Sequence, residues 1–174
     1  MNYRQVINYL NGLERFGIQM GLERITRLLE LLGNPHQNLR CIHVAGTNGK
    51  GSTTTFIGEI LKNAGFKVGV YTSPHFVSFT ERMTINGIPI PEAQVAEIIE
   101  VKILPAIKTL TCHSSLTTQH LAHPTYFEIA TAVAFLYFAQ KKVDFAVLEV
   151  GLGGRLDATN VITPLVSVIT SIGL

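Results

Sequence analysis

The chain has 174 residues, 47% hydrophobic and 15% charged, with a formal net charge of +2. That length is room for one domain with a proper hydrophobic core, and the composition excludes disorder. The charge gives no reason to expect nucleic acid, and Cys41 and Cys112 are too few for a disulfide framework and lack metal-ligand spacing.

Residues 1–10 scatter polar side chains through every apolar run, so they make no signal peptide, and no later run is apolar enough to span a bilayer. Residues 3–13 and 22–32 repeat apolar positions at helical spacing, the second stopped by Gly33-Asn34-Pro35. Arg15-Phe16-Gly17-Ile18 lies between them as a loop. Residues 41–45 form a short strand that starts on Cys41, read as a buried thiol suited to a reducing cytoplasm. A glycine-rich loop follows, then a helix over 50–64 closed by Gly65. A second strand is expected over 66–71, a long loop over 72–82, and a hairpin over 83–90 that turns at Asn86-Gly87.

Pro91 at the first helical position, followed by Glu92, opens another helix. Residues 111–124, polar and carrying His113, His120 and His123, read as a variable or disordered loop. Residues 126–140 form a strongly apolar helix packed under the sheet, and 144–150 and 165–170 are the third and fourth strands. Strands alternating with helices predict an α/β fold, a mostly parallel sheet with helices on both faces. The chain stops at Ile172-Gly173-Leu174, directly after a core strand, as expected of a fragment.

The run Gly46-Thr47-Asn48-Gly49-Lys50-Gly51-Ser52 stands between a strand and a helix, where backbone N–H groups converge at the helix's positive end. Such a loop binds phosphate, and Lys50 adds a full charge for the β- and γ-phosphates of ATP. The run departs from G-x-x-x-x-G-K-[ST] in two places. Val44 stands five residues before Gly49, and Gly51 follows the lysine where a hydroxyl residue would hold magnesium. That hydroxyl must come from elsewhere, from Ser52 or Ser73.

Ligands of a doubly wound sheet sit at the carboxyl ends of its strands. Here those ends are the phosphate loop, Thr72-Ser73-Pro74-His75, and Glu149. An acid leaving an apolar strand beside a phosphate loop is a usual holder of magnesium on ATP. Taken singly, Glu149 also reads as a solvated strand end, Ser73 as a turn serine and His75 as a surface residue.

Gly46-Thr47-Asn48-Gly49-Lys50 resembles the loop of the Mur ligase superfamily, and the Gly51-Ser52 variant resembles its folate branch, the folylpolyglutamate and dihydrofolate synthases. Similar blocks run along the chain: Gly21-Leu22-Glu23-Arg24-Ile25, Tyr71-Thr72-Ser73-Pro74-His75, Thr80-Glu81-Arg82, Thr125-Tyr126-Phe127-Glu128, and the long run from Glu149 to Asn160. The resemblance implies an ATP-dependent ligase that joins a carboxylate of dihydropteroate or a folate to the amine of L-glutamate through an acyl phosphate. It implies that Gly49, Lys50, Gly51 and Ser52 bind the triphosphate, and that Ser73 and Glu149 ligate Mg²⁺. It also implies that Thr125, Tyr126, Phe127, Glu128, Leu156, Asp157 and Ala158 line a dihydropteroate pocket, beside a mobile loop over 73–82.

Read locally, Thr125 and Glu128 are equally a helix capping box, Phe127 a core residue and Asp157 a turn aspartate. The resemblance further implies that residues 1–174 are the N-terminal part of an ATP-binding central domain. The family continues with an Asp-His pair, a carboxylated lysine and a C-terminal ligase domain, so this stretch alone is expected to be inactive. The complete protein is expected to be a cytoplasmic monomer that binds neither nucleic acid nor membrane. A peptidoglycan-precursor ligase is the rival within the superfamily, and a non-catalytic ATP-binding fragment is the rival outside it. The Gly51-Ser52 variant and the Glu149 to Asn160 run argue against the first.

Overall fold

The computed structural model describes residues 1–13, 17, 19–112 and 123–173. Arg15, Phe16, Ile18, His113 and His120 therefore lie outside the described residues. Helix α1 (Tyr3–Gly12) opens on a capping box in which Asn2 and Gln5 each accept the other's backbone N–H. Helix α2 (Glu23–Leu31) ends where Asn34 turns left-handed into a 3₁₀ turn, Pro35–Asn38. Strand β1 (Cys41–Ala45) and helix α3 (Lys50–Asn63) flank the glycine-rich loop.

Strand β2 (Val68–Tyr71) starts two residues later than its apolar run. The Phe66 N–H still closes the end of α3 on Leu61, and the Lys67 N–H is taken by the Asp144 carboxylate, so the ladder begins at Val68. Residues 72–82 are not loop throughout, because Ser78 and Glu81 cap a 3₁₀ turn, Phe79–Arg82. Strands β3 (Met83–Ile85) and β4 (Ile88–Pro89) make the expected hairpin. Asn86 and Gly87 both have positive φ at its turn, the twist a two-residue hairpin needs.

Pro91 is the N-cap of helix α4 (Glu92–Ile98) rather than its first helical residue, since its ψ of 139° is extended. The helical path runs on through a π turn, Ile99–Ile103, into α5 (Leu104–Cys112). Pro105 explains the wide turn: its ring crowds the carbonyl of Val101 and it has no N–H to bond it. Thr111 and Cys112 are thus helical rather than loop, and residues 113–122 of the stretch read as a loop lie outside the described residues. Helix α6 (Tyr126–Lys141) precedes β5 (Phe145–Glu149), and β6 (Val166–Ile169) comes last.

The sheet has the order β4-β3-β2-β5-β1-β6. Strands β2, β5, β1 and β6 are parallel, and β3 and β4 turn back as an antiparallel edge. Side chains alternate between two faces. Val44, Val68 and Val147 face α3 through Ile57 and Leu61. Cys41, Tyr71, Ala146 and Leu148 face α6 and the larger core. Helix α6 is apolar all round because it is enclosed all round, with every residue from 128 to 138 buried between the sheet and α2, α4 and the 3₁₀ turn at Pro35. That burial pushes the Cys41 thiol up to about 12, so it packs as a small apolar side chain.

Candidate nucleotide and substrate site

The carboxyl ends of β1, β2 and β5 lie side by side, with Val44 opposite Glu149 and Tyr71 opposite Leu148. The phosphate loop leaves β1 at Gly46, whose φ is +136°. A side chain there would also strike Thr170, whose Oγ1 lies 2.0 Å from the place of a Cβ. Ser171 holds the loop from the next strand end by accepting from the Thr47 N–H at 2.8 Å. Gly49 caps α3 with a left-handed φ of +80° and no side-chain bond. The first intrahelical bond runs from Thr53 N to Gly49 O, so Gly49, Lys50, Gly51 and Ser52 carry the N–H groups that a helix start leaves without an intrahelical partner. The Lys50 ammonium donates to Gly46 O at 2.9 Å and Thr47 O at 3.2 Å, which leaves its third donor for a ligand.

Glu149 is buried at the end of β5. Burial pushes its carboxyl up, against the pull of the Ser73 N–H, Lys50 and Arg82. Its Oε2 accepts from Ser73 N at 2.9 Å, and a Cβ added to Gly51 would stand 3.5 Å from its Oε1. The missing side chain after Lys50 therefore leaves room between the helix start and the acid. Ser73 is brought to Glu149, whereas Ser52 is exposed on the first turn of α3.

Beside this end of the sheet lies a cleft of about 430 Å³. Ser73 lines it, and so do all of Thr125, Tyr126, Phe127, Glu128, Leu156, Asp157 and Ala158. The local readings of these residues hold as well. Thr125 and Glu128 form the capping box of α6, with Thr125 N donating to Glu128 Oε2 at 2.7 Å. The Phe127 ring sits so close to Gly151 that a Cβ there would fall 2.4 Å from it. Asp157 caps a 3₁₀ turn, Ala158–Val161, and accepts from Leu152 N at 2.9 Å and from the Thr159 hydroxyl. Thr159 in turn meets His43 Nε2 at 2.8 Å, which ties the cleft floor to β1.

Sequence reasoning assigned no role to two arginines of the site. Arg24 donates to Glu128 Oε2 at 3.2 Å and to Gln19 O at 2.8 Å, fixing α2 against the start of α6. The second Glu128 oxygen, Oε1, is buried and makes no hydrogen bond among the described residues. Arg82 lines the cleft, donates from Nε to His75 Nδ1 at 2.8 Å, and lies over the Tyr126 ring at 5.3 Å. Both arginines stand in blocks that carry the resemblance, but Arg24 meets Glu128 from 104 residues away and Arg82 meets Tyr126 on another helix, contacts that leave no local signal. The loop over 73–82 is tied to itself: Glu81 accepts from the N–H groups of Phe76, Val77 and Ser78, which hold its carboxyl below the usual range. Phe76 and Val77 at its tip are 94% and 90% exposed.

Fold and loop together have the architecture of an α/β nucleotide-binding domain. No family model matches the chain. It is 45% identical over 172 residues to the dihydrofolate synthase/folylpolyglutamate synthase of Bacillus subtilis, covering 98% of this chain and 38% of that protein. The crystal structure of folylpolyglutamate synthase from Thermotoga maritima superposes with a TM-score of 0.89 at 46% identity, over 99% of this chain and 38% of that one. A folylpolyglutamate synthase complex with AMPPCP and folate superposes at 0.88 and 42% identity, over 100% of this chain and 41% of that one. The chain is homologous along its whole length to the folylpolyglutamate and dihydrofolate synthases and shares their mostly parallel α/β fold. It spans about two fifths of the length of these relatives.

Proposed function

We propose that residues 1–174 are the N-terminal part of the ATP-binding domain of a cytoplasmic folate ligase, which adds L-glutamate to dihydropteroate, to folates, or to both. The observation that carries this reading is the position of Ser73. It lines the apolar cleft and also donates its backbone N–H to Glu149 beside the phosphate loop. A carboxylate at the end of an aromatic ligand in the cleft would therefore meet a triphosphate on the loop. The buried Glu128 Oε1, without a hydrogen bond among the described residues, suits an N–H donor, which a pteridine ring supplies.

The reaction balances as two displacements. A carboxylate oxygen attacks the γ-phosphorus, the bond to the β,γ-bridging oxygen breaks, and ADP leaves with the electron pair. The glutamate amine then attacks the acyl-phosphate carbon, the carbon–oxygen bond breaks, phosphate leaves, and the ammonium proton passes to solvent. Lys50 and the free amides of residues 49–52 hold the phosphate oxygens while charge moves, which is where most catalysis of phosphoryl transfer arises.

The donors fit magnesium. Glu149 offers a buried carboxylate oxygen next to the phosphate loop, and Ser73, which carries a hydroxyl, is tied to that same carboxylate through its backbone N–H. Glu149 and Ser73 would hold the ion, which when bound would neutralise charge on the phosphates. Among the described residues no group of three acidic, histidine or cysteine side chains surrounds them, so phosphate oxygens and water would complete the shell.

In the whole protein, glutamate, ATP and magnesium are expected to give product with dihydropteroate or a folate and none with a muramyl nucleotide. Glu149→Gln and Ser73→Ala should each raise the magnesium midpoint for activity, Glu149→Gln the more because it removes a charge. A midpoint identical in wild type and both variants would remove these residues from the metal site.

A further inference from the structure

Arg82 is 7% exposed, yet among the described residues its guanidinium makes no salt bridge. Only Nε is bonded, to the imidazole Nδ1 of His75, and a ring nitrogen that accepts carries no charge to offset the arginine. Two of the acids around it, Glu81 and Glu149, are otherwise engaged. Glu81, next in the chain, is taken up by three loop amides, and Glu149 holds the Ser73 N–H at the metal end. Among the described residues its two terminal amino groups have no hydrogen-bond partner and, unlike Glu128 Oε1, they are not sealed from solvent, so with Arg82 lining the cleft they are available to a ligand there.

The place of the charge says which partner. The guanidinium lies over the Tyr126 ring, and Arg82 lines the cleft together with Ser73, whose N–H bonds Glu149 at the phosphate end. It therefore stands at the junction between the apolar cleft and the phosphate end. We propose that Arg82 is the carboxylate-binding residue of this site: its terminal amino groups take the carboxylate of an aromatic acid lying in the cleft and hold it toward the phosphate loop. The planar fork matches the two oxygens, and its charge offsets the repulsion between that carboxylate and a triphosphate. His75, through its bond to Nε, fixes the direction in which the fork points.

This inference rests on the reading of the cleft as the acid-substrate pocket, and the test separates the two. Equilibrium binding to the whole protein is measured without ATP, for dihydropteroate and for the same pterin ending in a plain phenyl ring. Wild type is expected to prefer the acid. Arg82→Gln should weaken the acid about tenfold to a hundredfold and leave the phenyl analogue unchanged, with Arg82→Lys between them. Equal weakening of both ligands would make Arg82 a wall of the cleft, and lost ATP affinity with the acid preference intact would make it a phosphate residue. Either result overturns the proposal and leaves the pocket standing. Wild type that binds neither ligand would overturn the pocket, and Arg82's role with it. Thermal melting checks that each variant is folded; if Arg82→Gln is not, Arg82→Lys carries the same acid-against-phenyl comparison.

Discussion

The ammonium of Lys50 braces two carbonyls of its own loop, so its position is set before any nucleotide arrives. Replacing it with alanine removes a charge-assisted contact of about 1.5–3 kcal/mol, and ATP affinity of the whole protein should fall tenfold to a hundredfold. Calorimetry showing unchanged affinity in a folded variant would mean that the amides of residues 49–52 bind phosphate unaided. Residues of this loop are legible in a sequence because one short segment holds the strand end, the glycines, the lysine and the helix start. The role of Arg24 is not legible in that way, since its meaning depends on Glu128, 104 residues further on. Asp157 lies between these cases. A turn aspartate can be read locally, but its link through Thr159 to His43 joins residues 116 apart.

At the scale of elements, periodicity carries most of the fold, and what it misses has definable causes. Strand β2 loses two residues because Leu61 and Asp144 compete for their amides, a tertiary fact. The π turn before α5 follows from Pro105, which was in plain view, but the path of a helix around a proline is decided by what encloses it. The 3₁₀ turn at Phe79 did leave a signal, because Ser78 and Glu81 have the spacing of a capping box. That turn gives the loop over 73–82 a pH dependence. The carboxyl of Glu81 is held below its ordinary value of 4.5 by the amides of Phe76, Ser78 and Val77. A lowered folded value means that the stabilisation is complete above 4.5 and is lost as pH falls through the folded value. Hydrogen-exchange protection of the three amides should therefore collapse on acidification in wild type, and should be absent at neutral pH in Glu81→Gln. Protection that survives in the variant would place the order of this loop elsewhere.

At the scale of the molecule, the two edges of the sheet are built differently. Strand β4 has two residues, one of them Pro89, and such an edge offers little for another strand to pair with. Strand β6 pairs only with β1 among the described residues, and it presents Val166 and Ile169 to solvent, with Leu165 and Ile172 exposed just beyond its ends. Its outer row of N–H and C=O groups is flanked by apolar side chains and no charge, the combination that invites strand addition. The polypeptide of residues 1–174 is accordingly expected to self-associate as its concentration rises. Ile169 is 69% exposed, so Ile169→Lys removes little core packing and adds a charge at the edge. Light scattering should show larger species in wild type and a shift toward monomer in the variant, with the melting temperature little changed. Association that is equal in both would move the contact off β6. The exposed apolar pair Phe56 and Ile60, one turn apart on α3, would then be the surface to substitute next.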